Sequence, residues 1–484
     1  MRAVAAAVLV LVACDGGGGD VTPDAAAPII YSRCPQEPRA TPESLAQKAA
    51  AYDARVLGLH AHPQMPWVVD VVVKPGTDPE KATHDDVVAW WSGENDGLFS
   101  GLVLAAEAYR FAATHDPEAR RVLATLLDGE RMRMDITGVP GLFTRQLIPP
   151  GVTGLQCPTD PAQYVPSPDK RGNKWVRIDP TGCAAVADAQ GAFHATTHCG
   201  LQRFASWCFL DNISQDEYVG HVLALGTIAR VVSDAELRGT AVDMLRQIGA
   251  HLAAHDMAFV DWDGRATQWG KVYPGAPGDT PGYLAVLGMA FAATAGNATP
   301  AWDGYLDQID QWTGADGCGA NWNNLSMLAA SFDLLITNEP DAARRATFRD
   351  AFAQSLVAPV GTSRGILAQH DAWYDLMWAA HAETPAYAAV EDAVCQLRQF
   401  PRSNHVVARD TAALAPEVCT DRQDKSLAAQ PFPIADRCAA TFAYWGNPYE
   451  RASCTDEPTL IHQPGGFLLP YWMGRYHGFI PADL

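Results

Sequence analysis

Groups of carboxyl, amide, imidazole and aromatic side chains recur along this sequence, most of them beside the start of an apolar, alanine-rich segment. The side chains among them that can donate or accept a proton are Asp96, Asp216, Glu217, His221, Asp371 and Asp375. Those that can hydrogen-bond to a ligand or stack on it are Asn95, Arg145, Trp269, Trp322, Asn323, Asn324, Trp373 and Tyr374. A protonated carboxyl opposite an ionised one, with aromatic faces beside the pair, is suited to cleaving glycosidic bonds.

These residue types permit three kinds of site. In an inverting glycoside hydrolase the acid would be Glu217 or Asp216. The base would be Asp96 or Asp375, ~6.5 to 9.5 Å from the acid so that a water fits between them. A polysaccharide lyase would instead need a side-chain base and an arginine, such as Arg145, to neutralise a substrate carboxylate. A non-catalytic protein could hold a glycan or a peptide with the same groups. A site of glycoside hydrolase type is favoured, and the other two stay as alternatives.

The apolar segments and the turns between them predict pairs of helices. The first helix of each pair is rich in alanine, leucine and aromatic residues, which indicates burial on all sides. These inner helices are predicted at 98–113, 218–232, 283–295, 325–336 and 373–381. The second helix carries more charge and follows a turn with proline or a capping residue at the helix start. These outer helices are predicted at 118–131, 235–255, 302–312, 342–356 and 387–397, with 44–57 as a sixth.

Successive helical pairs predict an all-α fold, an (α/α) toroid in which outer helices cover a ring of inner ones. Disulfide-stapled loop insertions and little β structure are expected around it. An open α-solenoid is the alternative, but its repeats usually have a regular period of ~34 to 47 residues, whereas the turns here are unevenly spaced. Parallel inner helices would bring their N-termini to one end of the axis. The sequence therefore predicts one polar, aromatic-lined funnel at that end.

The charge balance limits the partners of this chain. It has 35 Lys and Arg against 55 Asp and Glu, a net charge of −20, which repels nucleic acid. A carbohydrate or another small neutral ligand is compatible with that charge. No cofactor is predicted. No metal is predicted either, because the histidine pairs His194/His198 and His251/His255 lack the HExxH pattern.

The N-terminus is similar to a bacterial lipoprotein signal peptide. An arginine and an apolar run lead to Leu11-Val12-Ala13-Cys14, and a run this short suits a cleaved signal better than a membrane span. The similarity implies that Cys14 is lipidated and anchors an exported protein to the cell envelope, in the periplasm or at the cell surface. The oxidising environment outside the cytoplasm fits the ten remaining cysteines, an even number without a CxxC pair.

The chain divides accordingly. The cysteines cluster at 157–208 and 395–454, where disulfides would staple long irregular loops. The predicted parts are a signal peptide at 1–13, a flexible tether at 14–40 and a single toroid domain at 41–484, which contains an insertion at 146–210 and a cysteine-containing C-terminal segment at 398–484.

Several segments resemble a group of uncharacterised secreted bacterial proteins. The segments are ENDGLFSGLVLAAEAYRFAATHDPEA, ITGVPGLFTR, SQDEYVGHVLAL, DGRATQWG and FLLPYWMGRYHG. That group has an (α/α) toroid architecture akin to six-hairpin glycosidases and lyases. The resemblance covers roughly residues 85 to 480 and implies a toroid fold; it implies no particular reaction.

Overall fold

A computed structural model describes residues 43–280, 282–309, 322–357, 365–421, 424–442 and 447–484. Cys14 and the predicted signal peptide and tether lie outside these ranges, and so does the side chain of Trp322. The α-helices are α1 (Leu45–Arg55), α2 (Asp96–Thr114), α3 (Pro117–Asp135), α4 (Gln215–Val231), α5 (Ala235–Ala254), α6 (Tyr283–Thr294), α7 (Trp322–Asn338), α8 (Ala342–Phe352), α9 (Ala372–His381), α10 (Tyr387–Gln399) and α11 (Gly465–Tyr476).

The inner helices form a closed ring, which confirms the predicted (α/α) toroid. In order around the ring, α2 packs against α4, α4 against α6, α6 against α7, α7 against α9, α9 against α11, and α11 again against α2. The outer helices α3, α5, α8 and α10 each pack on the inner helix that precedes them. A short 3₁₀ turn, Asp303–Gln308, lies against α6 in place of the start of the helix predicted at 302–312, of which residues 310–312 lie outside the described ranges.

The two ends of the described chain complete the sixth helical pair. Helix α1 packs against α11, and the backbone N–H of Leu45 donates to the carbonyl of Leu484 at 2.8 Å. Lys48 of α1 is buried and donates to the carbonyls of Leu397, Arg398 and Phe400, which satisfies the C-terminal end of α10. The sequence predicted α1 but missed α11, the sixth inner helix.

The inner helices run parallel. Their C-terminal ends meet on one side of the ring: Arg230 at the end of α4 donates to Thr337 of α7, and Asn338 of α7 donates to Thr294 of α6. The turns that begin the outer helices lie there too, since Arg120 of α3 pairs with Asp234, the N-cap of α5, at 2.7 Å. The predicted turns therefore lie at the end opposite the inner-helix N-termini.

Helices α2 and α4 approach each other more closely than side chains would allow. A Cβ atom on Gly101 would lie 2.5 Å from the carbonyl oxygen of Gly220, and one on Gly220 would lie 2.5 Å from Cα of Leu98. Only glycine fits at such a backbone contact. This contact fixes the starts of α2 and α4 side by side.

Strands lie outside the ring. They are β1 (Asp70–Val73), β2 (Val87–Trp91), β3 (Gln146–Ile148), β4 (Trp175–Ile178), β5 (Cys183–Ala187), β6 (Phe193–Cys199), β7 (Cys208–Leu210), β8 (Ala258–Val260), β9 (Ala266–Lys271), β10 (His405–Val406), β11 (Arg409–Asp410), β12 (Glu417–Thr420), β13 (Ser426–Ala428), β14 (Ser453–Cys454) and β15 (Glu457–Ile461). Four strands form an antiparallel sheet of order β10-β15-β1-β2. In the chain, strand β2 leads into α2 and strand β15 leads into α11. Three two-stranded sheets pair β8 with β9, β11 with β14 and β12 with β13.

The prediction of irregular loops was wrong for the insertion at 146–210. It forms an antiparallel sheet of order β3-β7-β4-β5-β6. Disulfides Cys157–Cys208 and Cys183–Cys199 tie this sheet, and Cys438–Cys454 ties the C-terminal segment. Cys395 and Cys419 are disulfide-bonded as well. Alternating burial in β4 suits a sheet with one face on the core.

A buried ion cluster joins the insertion to the β8–β9 hairpin. The Lys170 ammonium lies 2.6 Å from Asp211, 2.9 Å from Asp261 and 3.0 Å from Asp263. Breaking one partner of such a buried cluster leaves uncompensated charge, so the cluster fixes how the insertion sits beside the ring. Among the helices of the described ranges, none is long and apolar enough to cross a membrane.

Candidate functional site

The N-terminal ends of the inner helices gather at one end of the ring, as predicted. Gln215 at the start of α4 hydrogen-bonds Tyr283 at the start of α6. The Tyr283 hydroxyl donates to Met327 of α7 at 3.6 Å. Ser326 of α7 and Tyr374 of α9 share a hydrogen bond of 2.8 Å. Side chains far apart in sequence therefore meet because the ring closes.

Asp96 is the first residue of α2 and is almost fully buried, at 5% exposure. Its carboxylate accepts hydrogen bonds from the Gly93 N–H at 2.6 Å and from the Ser92 hydroxyl. Arg133 lies 4.0 Å away. Burial raises the pKa of Asp96 to about 7, although Arg133 and these hydrogen bonds act in the opposite direction. Asp96 can therefore hold or release a proton near neutral pH.

Glu217 lies beside Asp96 in the first turn of α4 and is fully buried. Burial raises its pKa well above the usual range, and Arg145 opposes that shift only in part. Its Oε2 lies 4.0 Å from Nε2 of His221, one turn further along α4. A Cβ on Gly97 of α2 would lie 2.5 Å from that same Nε2. Glycine at position 97 thus makes room for the Glu217–His221 pair.

His221 is held from its other side by Glu130 of the outer helix α3. Its Nδ1 lies 2.5 Å from Glu130 Oε1, and its ring stacks on Phe143 with centroids 3.9 Å apart. Neither carboxyl oxygen of Glu217, nor Nε2 of His221, has a hydrogen-bond partner among the described residues. Buried polar groups without partners are costly, so they indicate a site that holds water or exchanges protons.

A polar rim surrounds these buried groups and reaches the surface. Arg145 donates to the Asn95 side chain at 3.2 Å and to the Asn212 carbonyl at 2.8 Å. Asn173 of the insertion donates to the exposed Glu94 at 2.8 Å and also accepts from the Asn212 amide at 3.1 Å. The rim thus brings two predicted ligand-binding residues, Asn95 and Arg145, together with the inserted sheet.

Two further predicted residues belong to the same end of the ring. The backbone N–H of Gln268 donates to the Asn212 side chain, and the next residue, Trp269, is 46% exposed. Its indole therefore offers an exposed ring face beside the rim. Asp216 is half-buried at the start of α4, with the Ser214 hydroxyl on its carboxylate.

A second group of predicted residues lies at the starts of α7 and α9. Asp375 is fully buried, and burial raises its pKa well above the usual range, with the charges of Asp392 and Asp371 adding to the shift. Asp371 is the N-cap of α9 and accepts from the Trp373 N–H at 3.0 Å. Asn323 and Asn324 are half-buried. The predicted carboxyls thus fall into two groups at one end of the ring.

The prediction that Trp373 and Tyr374 line the funnel was wrong. Both side chains are only 2% exposed and pack against each other in the core, with ring centroids 6.0 Å apart. The C-terminal segment covers the start of α9, where Arg437 donates to the carbonyl of His370 at 3.2 Å. Neither ring offers a free face to a ligand. The predicted Trp322 platform lies outside the described side chains.

Sequence reasoning missed the residues that support the site from other elements. Glu130 and Arg133 come from outer helix α3, and nothing in their local pattern marks them. At the start of α11, His462 donates to Asp70 of β1 at 2.7 Å, and the Gln463 N–H donates to the other Asp70 oxygen at 2.7 Å. The polar run His462 to Pro464 before an apolar segment repeats the pattern of the other helix starts and could have revealed it.

No cluster of three or more potential metal ligands occurs in the described part of the chain. His194 and His198 lie on strand β6 rather than on a helix, and His198 bonds the Thr137 carbonyl at 2.7 Å. His251 accepts from the backbone N–H of Val260 at 2.9 Å. His194 lies 2.8 Å from the Asp188 carboxylate, so these three imidazoles each have a partner in the fold.

Comparisons with known proteins give remote structural likenesses. A comparison with protein-family models finds no match, and neither does one with curated proteins. A thermostable endoglucanase from Alicyclobacillus acidocaldarius is 13% identical over 90% of this chain and 84% of its own, with a TM-score of 0.40. A metagenome-derived glycoside hydrolase family 9 endoglucanase is 14% identical over 91% and 80%, also at 0.40. Endoglucanase CelQ from Clostridium thermocellum, complexed with cellotriose, is 11% identical over 90% and 69%, at 0.36. Likenesses this remote carry no conclusion about activity.

Proposed function

We propose that this protein is a glycoside hydrolase-like enzyme that acts on a neutral carbohydrate at the starts of α2 and α4. The observation that carries the proposal is the Asp96 carboxyl, whose pKa burial raises to about 7 at the edge of a polar rim. A general acid works best when its pKa is near the working pH. The exposed Trp269 beside that rim offers the apolar face on which a sugar ring can stack.

The burial of each carboxyl supports a division of roles between them. Glu217 has no exposed surface, so it does not reach a substrate in this conformation, whereas Asp96 keeps 5% exposure and Asp216 is half-buried. Asp96 would give its proton to the glycosidic oxygen as the C–O bond breaks. Asp216 would take a proton from the water that attacks the anomeric carbon. This exchanges the roles that the sequence favoured for Asp96 and Asp216.

The arginine at the site argues against a lyase. A lyase needs a cation that is free to neutralise a substrate carboxylate. Arg145 is 5% exposed, and its guanidinium is engaged with the Asn212 carbonyl, the Glu94 carbonyl and the Asn95 side chain. A neutral glycan is therefore the better match. A non-catalytic glycan-binding protein remains the second candidate, because the exposed Trp269 would serve binding equally well.

The function is tested by a panel of neutral glycans and the Asp96→Asn variant. The wild-type protein should release reducing sugar from at least one glycan, and the variant should be slower by roughly 10² to 10⁴. Asp116→Asn is the matched control. Asp116 caps α3 at the opposite end of the ring, and asparagine caps a helix as well as aspartate. Binding without turnover would establish the non-catalytic alternative, and equal rates in Asp96→Asn would reject the assignment of the acid.

We also propose export and lipid anchoring at the cell envelope through Cys14. The short apolar run before Cys14 and the disulfides of the body support this location. Changing Cys14 to Ser should move the protein from the membrane fraction to the soluble fraction. Unchanged membrane association of the variant would contradict the proposal.

A further inference from the structure

A small polar cavity lies at the start of α11, outside the groups assigned so far to proton transfer. Its volume is 50 Å³, and its polar walls are Asp70, Asn404, Thr441, His462 and Gln463, with two alanines beside them. A water needs ~10 to 15 Å³ of such volume. The cavity therefore has room for a few waters or for the hydroxyl groups along one edge of a sugar, but not for a whole sugar ring.

The clearest sign that something fills this cavity is Asn404. Its side chain is 3% exposed, and its Nδ2 donates to the Gln463 carbonyl at 3.0 Å. Its Oδ1 is buried without a donor among the described residues. A buried acceptor left unpaired costs ~1 to 3 kcal/mol, so a donor from outside the chain is expected there.

The remaining walls offer both hydrogen-bond donors and hydrogen-bond acceptors. The Asp70 carboxylate is occupied by His462 Nδ1 and by the Gln463 N–H, both at 2.7 Å. Gln463 turns its Oε1 to the Gly465 N–H at 2.6 Å, which leaves its amide nitrogen as a donor. Because the Asp70 carboxylate is already hydrogen-bonded to His462 and Gln463, it is not free to bind a cation, and no Lys or Arg is among the described lining residues to bind an anion. A hydroxyl both donates and accepts, which is what Asn404 and Gln463 together require.

The cavity lies next to the proposed acid. Asp70 of β1 pairs in register with Trp91 of β2, and the following residue, Ser92, donates to Asp96. The Trp91 side chain is 55% exposed. A sugar that stacked on Trp91 or lay across it could place a hydroxyl edge in the cavity and its glycosidic bond towards Asp96.

We propose that the cavity at the start of α11 binds the hydroxyl edge of one neutral sugar residue and so sets which sugar is presented to Asp96. The proposal rests on the proposed function, which it deepens by naming the substrate subsite. An apolar group there would leave Asn404 Oδ1 unpaired. Epimers that differ in the hydroxyls of that edge should therefore be distinguished.

The test uses methyl glycosides of glucose, galactose, mannose and xylose as probes, with crystals of the whole protein and saturation-transfer NMR. At least one should appear as electron density in the cavity. Its affinity should fall about tenfold or more in Asn404→Leu, the change expected for one lost hydrogen bond to a buried acceptor. The matched control is Asn447→Leu. Asn447 is also buried and also has an unpartnered side-chain atom, but it does not line the cavity.

A second pair of variants keeps the test decisive if Asn404→Leu does not fold. His462→Phe removes the imidazole nitrogens, whereas the amide of His462→Gln can still donate or accept in place of Nε2. Affinity should fall in His462→Phe and recover in part in His462→Gln. Density for water alone with every glycoside, or equal affinities in wild type and His462→Phe, would overturn the proposal.

The outcomes separate this inference from the proposed function. A glycoside in the cavity together with equal turnover in Asp96→Asn would keep the subsite and reject the acid. Turnover that depends on Asp96, with a KM that is the same in His462→Phe as in wild type, would keep the hydrolase and reject the subsite.

Discussion

The close contact of α2 with α4 should make Gly101 intolerant of even one methyl group. An alanine Cβ there would lie 2.5 Å from the Gly220 carbonyl oxygen, whereas ordinary contacts begin at 3.4 Å. Both neighbours are backbone, so no side chain can rotate away and the helices must separate by ~1 Å. Overpacking of this kind costs ~1 to 3 kcal/mol, and the upper end applies here. Alanine is favoured over glycine in a helix by ~1 kcal/mol, so the free energy of unfolding should fall by about 2 kcal/mol in all.

Gly239→Ala is the matched control for this change. Gly239 lies in the exposed part of α5, and a Cβ there would meet nothing within 4 Å. That variant should gain ~0.5 to 1 kcal/mol in the free energy of unfolding. Urea unfolding followed by circular dichroism would compare the two variants with wild type. If Gly101→Ala were as stable as Gly239→Ala, the close approach of α2 and α4 would be wrong.

Three further changes test the ion cluster, the acid and the insertion. Lys170→Met should lower the free energy of unfolding by ~3 to 5 kcal/mol because the buried carboxylates of Asp211 and Asp261 lose their cation, whereas the exposed Lys81→Met should leave it nearly unchanged; equal effects would contradict the cluster. The pKa of Asp96 is about 7 in the folded protein and about 4 in the unfolded chain. Because the unfolded chain ionises first, the free energy of unfolding should fall as pH rises from about 4 to about 7. Asp96→Asn should therefore gain stability relative to wild type across that window in thermal unfolding, and a constant difference would exclude the raised pKa. Replacing Cys157 and Cys208 by serine should speed limited proteolysis within the insertion, because the disulfide closes a separation of 51 residues; an unchanged cleavage rate would show that the sheet holds without it.

The helices that the sequence predicted well have strong local signals. Helices α3, α5 and α8 begin after the N-caps Asp116, Asp234 and Asp341, each of which accepts a backbone N–H of its own first turn. Helix α6 is apolar on all sides and is buried throughout. Local capping and composition determine these helices, so they can be predicted without knowledge of the rest of the fold.

The missed elements depend on contacts between distant parts of the chain. Helix α11 contains Pro470 and begins with two glycines, which locally oppose a helix. It forms because it closes the ring between α9 and α2. Glu130 meets His221 across 91 residues of sequence. Trp373 is buried in α9, whose start is covered by the C-terminal segment. The contacts of Glu130 and Trp373 leave no pattern in the sequence, whereas the polar run His462 to Pro464 marks the start of α11.

We propose that Asp96 supplies the proton for glycosidic bond cleavage. The most direct measurement is the pH dependence of kcat/KM on a glycan that the wild-type protein hydrolyses, because it reports the ionisation of the essential acid in the free enzyme. We expect kcat/KM to fall as pH rises through about 7, the pKa of buried Asp96, and the residual activity of Asp96→Asn to lack this alkaline limb. A rate that stays constant or rises well above that pH, or an alkaline limb retained in Asp96→Asn, would contradict it.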